Sequence, residues 1–160
     1  MDSGKVALKL EPVRVGTLAN EVRDSLGVLA SEKQQTIEFI CDDGTIATAD
    51  RLLLRKALVN IIHNAIRYSA LQTRVTIRTL RRDGGACIEV TDQGPGIAPE
   101  HRQKIFERFY RVDKSRARSE GGHGLGLAIA RWSVEHQAGR IELESEFGKG
   151  SVFRIVLPSG

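Results

Sequence analysis

Asn60-Ile61-Ile62-His63-Asn64-Ala65-Ile66-Arg67-Tyr68 has the spacing of an amphipathic helix with two amides on its polar side. At 3.6 residues per turn Asn60 and Asn64 are i, i+4 partners, while Ile61, Ile62, Ala65 and Ile66 turn toward a core. Arg67 falls one further turn along, beside Asn64. Asp50 stands just ahead of Arg51 and can accept from free N–H groups of a first turn, so a helix is expected from Arg51 to about Tyr68. The two asparagines read either as solvated polar groups or as hard, neutral oxygen ligands. Mg²⁺ takes such ligands while completing its shell with phosphates and water.

Elements on both sides of this helix can be placed from pattern. Residues 1–16 read as an extended lead-in in which Val6, Leu8 and Leu10 alternate and Pro12 ends the run. Thr17 is a candidate cap for a helix whose Leu18, Val22, Leu26 and Leu29 form one stripe. Thr36–Ile40 and Thr45–Thr48 are strand-like and are joined by Asp42-Asp43-Gly44, a hairpin signal. Val75–Leu80 and Ala86–Val90 alternate around Asp83-Gly84-Gly85. A short helical piece fits Pro99–Phe109, and a longer helix runs from near Leu125 to Gln137 with Ala138-Gly139 as its stop. Arg140–Ser145 and Ser151–Leu157 close the chain as strands around Phe147-Gly148-Lys149-Gly150. Strands following strands argue against a doubly wound parallel sheet and predict one α/β domain over 1–160, with a mixed, mostly antiparallel sheet and helices on one face.

Composition agrees with a globular domain: 160 residues, 41% apolar, 28% charged and 5% aromatic. The apolar runs, such as Leu52-Leu53-Leu54, are far shorter than the roughly 20 residues a membrane helix needs. The opening Met1-Asp2-Ser3-Gly4-Lys5 lacks the apolar stretch of a signal peptide. Cys41 and Cys87 are far apart and form no CxxC pair, which disfavours zinc and suits a reducing compartment. Much of the net charge of +4 sits between Arg102 and Arg118, where a charge run reads first as a solvated face.

Glycine clusters invite a phosphate site, yet the common designs do not fit. Gly148-Lys149-Gly150-Ser151 is no P-loop, and Gly122-His123-Gly124-Leu125-Gly126 has Leu127 where a dinucleotide motif needs glycine. His101-Arg102 is followed by Gln103, and Asp92-Gln93-Gly94 lacks phenylalanine, so serine/threonine kinase signatures are missing. What is present is Asp92-Gln93-Gly94-Pro95-Gly96-Ile97 directly after a strand. An aspartate there can accept from an exocyclic amine such as that of adenine, and glycines let a backbone come close. Gly121 to Leu127 leads into a helix, whose first N–H groups and dipole favour an anion.

Taken in order, Asn60/Asn64, Asp92-x-Gly94-x-Gly96, Phe106-x-x-Phe109, Gly122-x-Gly124-Leu125-Gly126-Leu127 and Gly148-x-Gly150-Ser151-Val152-Phe153 resemble the N, G1, F, G2 and last boxes of bacterial sensor histidine kinases. Serine stands at 151, where that family often has threonine. The resemblance covers essentially the whole chain, and Met1–Lys5 resembles the exit from the family's dimerisation domain, with residues 1–4 its remnant. It implies a Bergerat-type two-layer sandwich with a flexible ATP lid over about 110–124.

By motif position the resemblance implies that Asp92 bonds the adenine amine, with Ser151 helping through water and Tyr68 packing near the base. Gly94, Gly96 and Ile97 would line the same region. Asn64 would ligate Mg²⁺, with Asn60 supporting it directly or through water. Arg67, where lysine is frequent in the family, would contact phosphate with a planar fork. Gly122, Gly124, Leu125, Gly126 and Leu127 would cradle phosphates, and Arg111 and Arg116 would meet the γ-phosphate. Phe106 and Phe109 would anchor the base of the lid or simply fill the core. Related ATPases of the gyrase, mismatch-repair and chaperone groups carry glutamate where this chain has Asn60. An amide cannot act as a general base, so Asn60 is expected to leave ATP bound and poorly hydrolysed.

The expected function is donation of the γ-phosphoryl group of Mg-ATP to a histidine in two-component signalling. None of His63, His101, His123 and His136 precedes an acidic residue at the start of a helical hairpin. The acceptor is therefore expected on a separate dimerisation domain, with a response regulator downstream. The resemblance also implies a cytoplasmic domain of an inner-membrane parent, a homodimeric parent and a monomeric fragment. A catalytically inert binding module, an anti-sigma serine kinase and a nucleic-acid binder acting through Arg102–Arg118 are the alternatives. The intact Asn, Asp and Gly positions oppose the first, and the lack of interleaved aromatics or a reading helix opposes the last.

Overall fold

The computed structural model describes residues 7–41, 44–82, 84–107, 126–146 and 148–158. In chain order these form β1 (Leu10–Arg14), α1 (Val15–Glu32), β2 (Thr36–Ile40), β3 (Ile46–Asp50) and α2 (Arg51–Tyr68). There follow β4 (Arg74–Arg82), β5 (Gly85–Asp92), two short 3₁₀ turns at Pro99–His101 and Lys104–Phe106, α3 (Gly126–Glu135), β6 (Arg140–Glu146) and β7 (Gly150–Leu157).

The main sheet has five strands in the order β2-β4-β5-β7-β6, with β2 parallel to β4 and the other neighbours antiparallel. Alternation decides its two faces. Val75 and Ile77 of β4, Ile88 and Val90 of β5, and Phe153 and Ile155 of β7 are buried, and they form one core with Leu54, Leu58, Ile61 and Ile62 of α2. Each large side chain closed off from water in this way contributes roughly 1.5–3 kcal/mol. The opposite face is charged: Glu89 meets Arg154 at 2.7 Å and Arg78 at 3.8 Å, and Arg82 meets Glu142 at 2.6 Å. Among the described residues helices therefore cover one face only, as the sequence predicts, and α2 packs between α1 and α3.

Four local expectations are corrected. Thr36–Ile40 and Thr45–Thr48 do not form a hairpin: β2 joins the main sheet beside β4, and β3 pairs with β1 in a separate two-stranded sheet. The reason is packing, because Ala47 and Ala49 of β3 lie against the core together with Val13 of β1. Pro12 does not end its run but sits inside β1 opposite Thr48. A two-stranded ribbon is all edge, where proline's missing donor costs little. Thr17 does not cap α1, which begins at Val15, and the Val15 N–H donates to the Thr45 carbonyl at 3.2 Å instead. The piece after Pro99 is the pair of 3₁₀ turns rather than one helix.

Asp50 does cap α2, its Oδ1 accepting from the Leu53 N–H at 3.0 Å. Its other oxygen accepts from the Lys9 N–H at 3.0 Å, and its own N–H donates to Gln137 Oε1 at 2.8 Å. The start of α2 is thereby tied to β1 and to the end of α3.

Candidate nucleotide site

Asn60, Asn64, Arg67 and Tyr68 lie along the second half of α2, all half-buried. Among the described residues neither Asn60 nor Asn64 has a side-chain hydrogen-bond partner. Two partly covered amides without protein partners fit a ligand-binding role, and their oxygens match the hard, neutral donors Mg²⁺ accepts. Asn60 also faces the start of α3: a Cβ added at Gly126 would stand 3.5 Å from Asn60 Oδ1. The amide face of α2 and the N-terminal end of α3, where Gly126 and Leu127 sit, are therefore adjacent. The Arg67 guanidinium lies 5.6 Å from the Tyr68 ring centre, in cation–π range.

Asp92 ends β5, is 6% exposed, and accepts from the Gly94 N–H at 2.9 Å. Burial pushes its carboxyl above the usual range, while backbone N–H groups of Gly94 and Ser151 pull the other way. Ser151 of β7 is its register partner. Gly94 is a glycine for a spatial reason, since a Cβ there would meet the Tyr68 carbonyl oxygen at 2.8 Å and Asp92 Oδ1 at 3.1 Å. Gly150, at φ +100°, is required twice over: its backbone is left-handed, and a Cβ would press on the Asp92 carbonyl. Asp92, Gly94, Tyr68 and Ser151 thus converge at one end of the sheet, with Gly96 and Ile97 in the segment that follows.

Arg111, Arg116, Gly122, Gly124, Leu125, Phe109 and His123 lie outside the described residues, as does the proposed lid. Phe106 packs edge-on against Phe153 with ring centres 6.2 Å apart, and Arg131 lies over it at 5.6 Å. His63 is exposed on α2, its imidazole held below the usual range by partial burial and by Arg67.

Several supporting residues were not anticipated. Lys33 Nζ donates to the carbonyls of Ile66, Arg67 and Ser69 at 2.7–2.9 Å, and Gln35 Nε2 to those of Ile66, Ser69 and Ala70 at 3.0–3.3 Å. They satisfy the carbonyls left open at the end of α2, on both sides of Tyr68. Arg102, expected on a solvated face, is half-buried and donates to the carbonyls of Ile97 and Ser145. Ser145 accepts from the Ile97 N–H at 2.7 Å and lies 2.8 Å from Ser151 Oγ. The Ser145–Ser151 pairing was available from the hairpin centred on Gly148; the long-range carbonyl caps had no local signal.

Residues 49–160 match the family model described as histidine kinase-, DNA gyrase B- and HSP90-like ATPase. The sensor-like histidine kinase SenX3 of Mycolicibacterium smegmatis is 40% identical over 149 residues, 93% of this chain and 39% of that protein. The chain thus spans about two-fifths of that curated relative. Among solved structures, the mycobacterial sensor histidine kinase MprB superposes with a TM-score of 0.80 at 30% identity, covering 94% of this chain and 97% of that one. Full-length ShkA in complex with AMPPNP gives a TM-score of 0.84 at 31% identity, covering 96% of this chain and 32% of that one.

Proposed function

The chain belongs to the histidine kinase-, DNA gyrase B- and HSP90-like ATPase family, and from that premise we propose that it binds Mg-ATP and donates the γ-phosphoryl group to a histidine on a separate domain. Likeness to SenX3, MprB and ShkA supports the kinase branch, and the AMPPNP complex of ShkA supports an adenine nucleotide as ligand. The observation that carries the reading is Asn60, an amide facing the start of α3 where a hydrolase would need a carboxylate.

In this reading Asp92, held by the Gly94 N–H, accepts from the exocyclic amine of adenine with its remaining lone pairs, which selects the base through a buried carboxyl group. Tyr68 flanks the base. Asn64 and Asn60 would hold Mg²⁺ through amide oxygens, and the ion when bound offsets charge on the phosphates. Arg67 reaches toward the same phosphates. The opening N–H groups of α3 at Gly126 and Leu127 add a positive helix end, with Arg111 and Arg116 closing on the γ-phosphate. Phosphoryl transfer asks chiefly for positioning and charge neutralisation, which this residue set can supply without a general base of its own. The proton of the attacking imidazole would leave to a group on the acceptor domain, and a response regulator would take the phosphoryl group onward.

Calorimetric titration with ATP in Mg²⁺ tests the binding half. Saturable binding that weakens about 10- to 150-fold in Asp92→Asn is expected, from the loss of a hydrogen bond to a charged group. Absence of binding, or an unchanged affinity in that variant, would overturn the reading.

A further inference from the structure

Ser145 lies outside every motif of the site, yet its hydroxyl is surrounded by groups that belong to it. It stands on β6 directly opposite Ser151 of β7. Its Oγ accepts from the Ile97 N–H at 2.7 Å, donates to the Gly150 carbonyl at 3.2 Å and lies 2.8 Å from Ser151 Oγ. Arg102 clamps the same place by donating to the carbonyls of Ile97 and Ser145, so both backbone polar groups of Ile97 are held.

A hydroxyl has one proton and two lone pairs. An amide N–H can only donate, so Ser145 must accept from Ile97. A carbonyl can only accept, so the single Ser145 proton goes to Gly150. By distance either hydroxyl of the 2.8 Å Ser145–Ser151 contact could donate. With the Ser145 proton assigned to the Gly150 carbonyl at 3.2 Å, Ser145 offers Ser151 only its second lone pair, and Ser151 is the donor. Its own proton committed, Ser151 is left with lone pairs alone beside Asp92, whose carboxylate is also an acceptor. Two acceptors side by side complement an exocyclic amine and repel a carbonyl.

We propose that Ser145 is a positioning residue that fixes the Ser151 hydroxyl as an acceptor and thereby sets selection for a 6-amino over a 6-oxo purine. The inference rests on the nucleotide-binding reading given under Proposed function and adds a residue that selects the base without touching it. Removing the Ser145 hydroxyl frees the Ser151 proton, which can then turn toward a carbonyl on the ligand.

The test is calorimetric titration of the 160-residue chain with ATP and, separately, GTP in Mg²⁺, comparing wild type, Ser145→Ala, Ser145→Thr, Ser151→Ala and the double alanine variant. Ser145→Ala should weaken ATP about tenfold while GTP holds or tightens, so the preference for ATP falls by at least that factor. Ser145→Thr, which keeps the hydroxyl, should restore most of the preference. With Ser151 already alanine, the further loss of ATP affinity on removing Ser145 should shrink to about threefold, what remains reflecting the Ile97 contact. Equal weakening of ATP and GTP by Ser145→Ala would overturn the proposal. Where GTP is too weak to measure in any variant, equal loss of ATP affinity in both Ser151 backgrounds overturns it instead. A wild-type chain that binds no ATP would count against the nucleotide-site reading itself, a separate outcome.

Discussion

Replacing Gly94 by alanine puts one methyl group where the structure has the least room for it. The new Cβ would stand 2.8 Å from the Tyr68 carbonyl oxygen, against the 3.4 Å at which ordinary contact begins, a shortfall of about 0.6 Å. The Tyr68 carbonyl cannot readily withdraw, because Lys33 and Gln35 pin the carbonyls on either side of it. The loop must give instead, and its Gly94 N–H is bonded to Asp92 at 2.9 Å. Overpacking of this kind costs about 1–3 kcal/mol. In a chain of this size each kcal/mol lowers the unfolding midpoint by roughly 2–4 °C, so a fall of about 2–12 °C is expected by thermal circular dichroism. ATP affinity should drop at least about tenfold, because the loop that moves is the one carrying the base contact. Gly27→Ala is the matched control: its Cβ would meet nothing within 4 Å inside α1, so the same chemical change should stabilise by about 0.5–1 kcal/mol and leave ATP binding alone. If Gly94→Ala melts with wild type and binds ATP within about twofold, the close approach of the two segments is wrong.

Further expectations concern the two buried aspartates, whose pH dependence has opposite sign. Burial opposes the charge of Asp50, but N–H groups of Lys9, Leu53 and Leu52 outweigh it and hold the carboxyl below its ordinary 3.8. Its contribution is therefore complete above that value and is lost as pH falls through the lower folded pKa. Asp50→Ala should cost about 0.5–2 kcal/mol at pH 7 in urea unfolding, with the difference from wild type narrowing in acid. Asp92 is raised above 3.8, mainly by burial, so its ionisation works against folding and stability declines as pH rises through the folded pKa. Asp92→Asn should flatten that decline in the pH window above the ordinary 3.8 on the same urea series while weakening ATP, a trade of stability for binding. A wild-type profile that rises across that window and is unaltered by the substitution would refute the assignment.

How much was legible in sequence differs by element. Helix α2 was fully legible, since its cap, its apolar stripe and its amide face are all written within 19 consecutive residues, Asp50 to Tyr68. Asp92 and Gly94 were legible as a strand end followed by a turn, and the structure adds the reason for the glycine. The Thr36–Thr48 segment misled because a local turn signal competes with partners that only tertiary structure supplies. Strand β2 pairs with residues 74–78 and β3 with residues 10–14. Lys33 and Gln35 reach carbonyls more than 30 residues away, which no periodicity encodes. Arg102 was hidden inside a basic run whose average character is solvated, although its own guanidinium is used internally.

The measurement that bears most directly on the central claim is transfer of label from γ-labelled ATP, in Mg²⁺, to a histidine-bearing dimerisation domain supplied in trans. The account predicts acid-labile, base-stable phosphate on that domain, none retained on this chain, and little inorganic phosphate released without the acceptor. It also predicts loss of transfer in Asp92→Asn. Rapid release of inorganic phosphate with no label on the histidine domain would contradict it, making the chain a hydrolase despite Asn60.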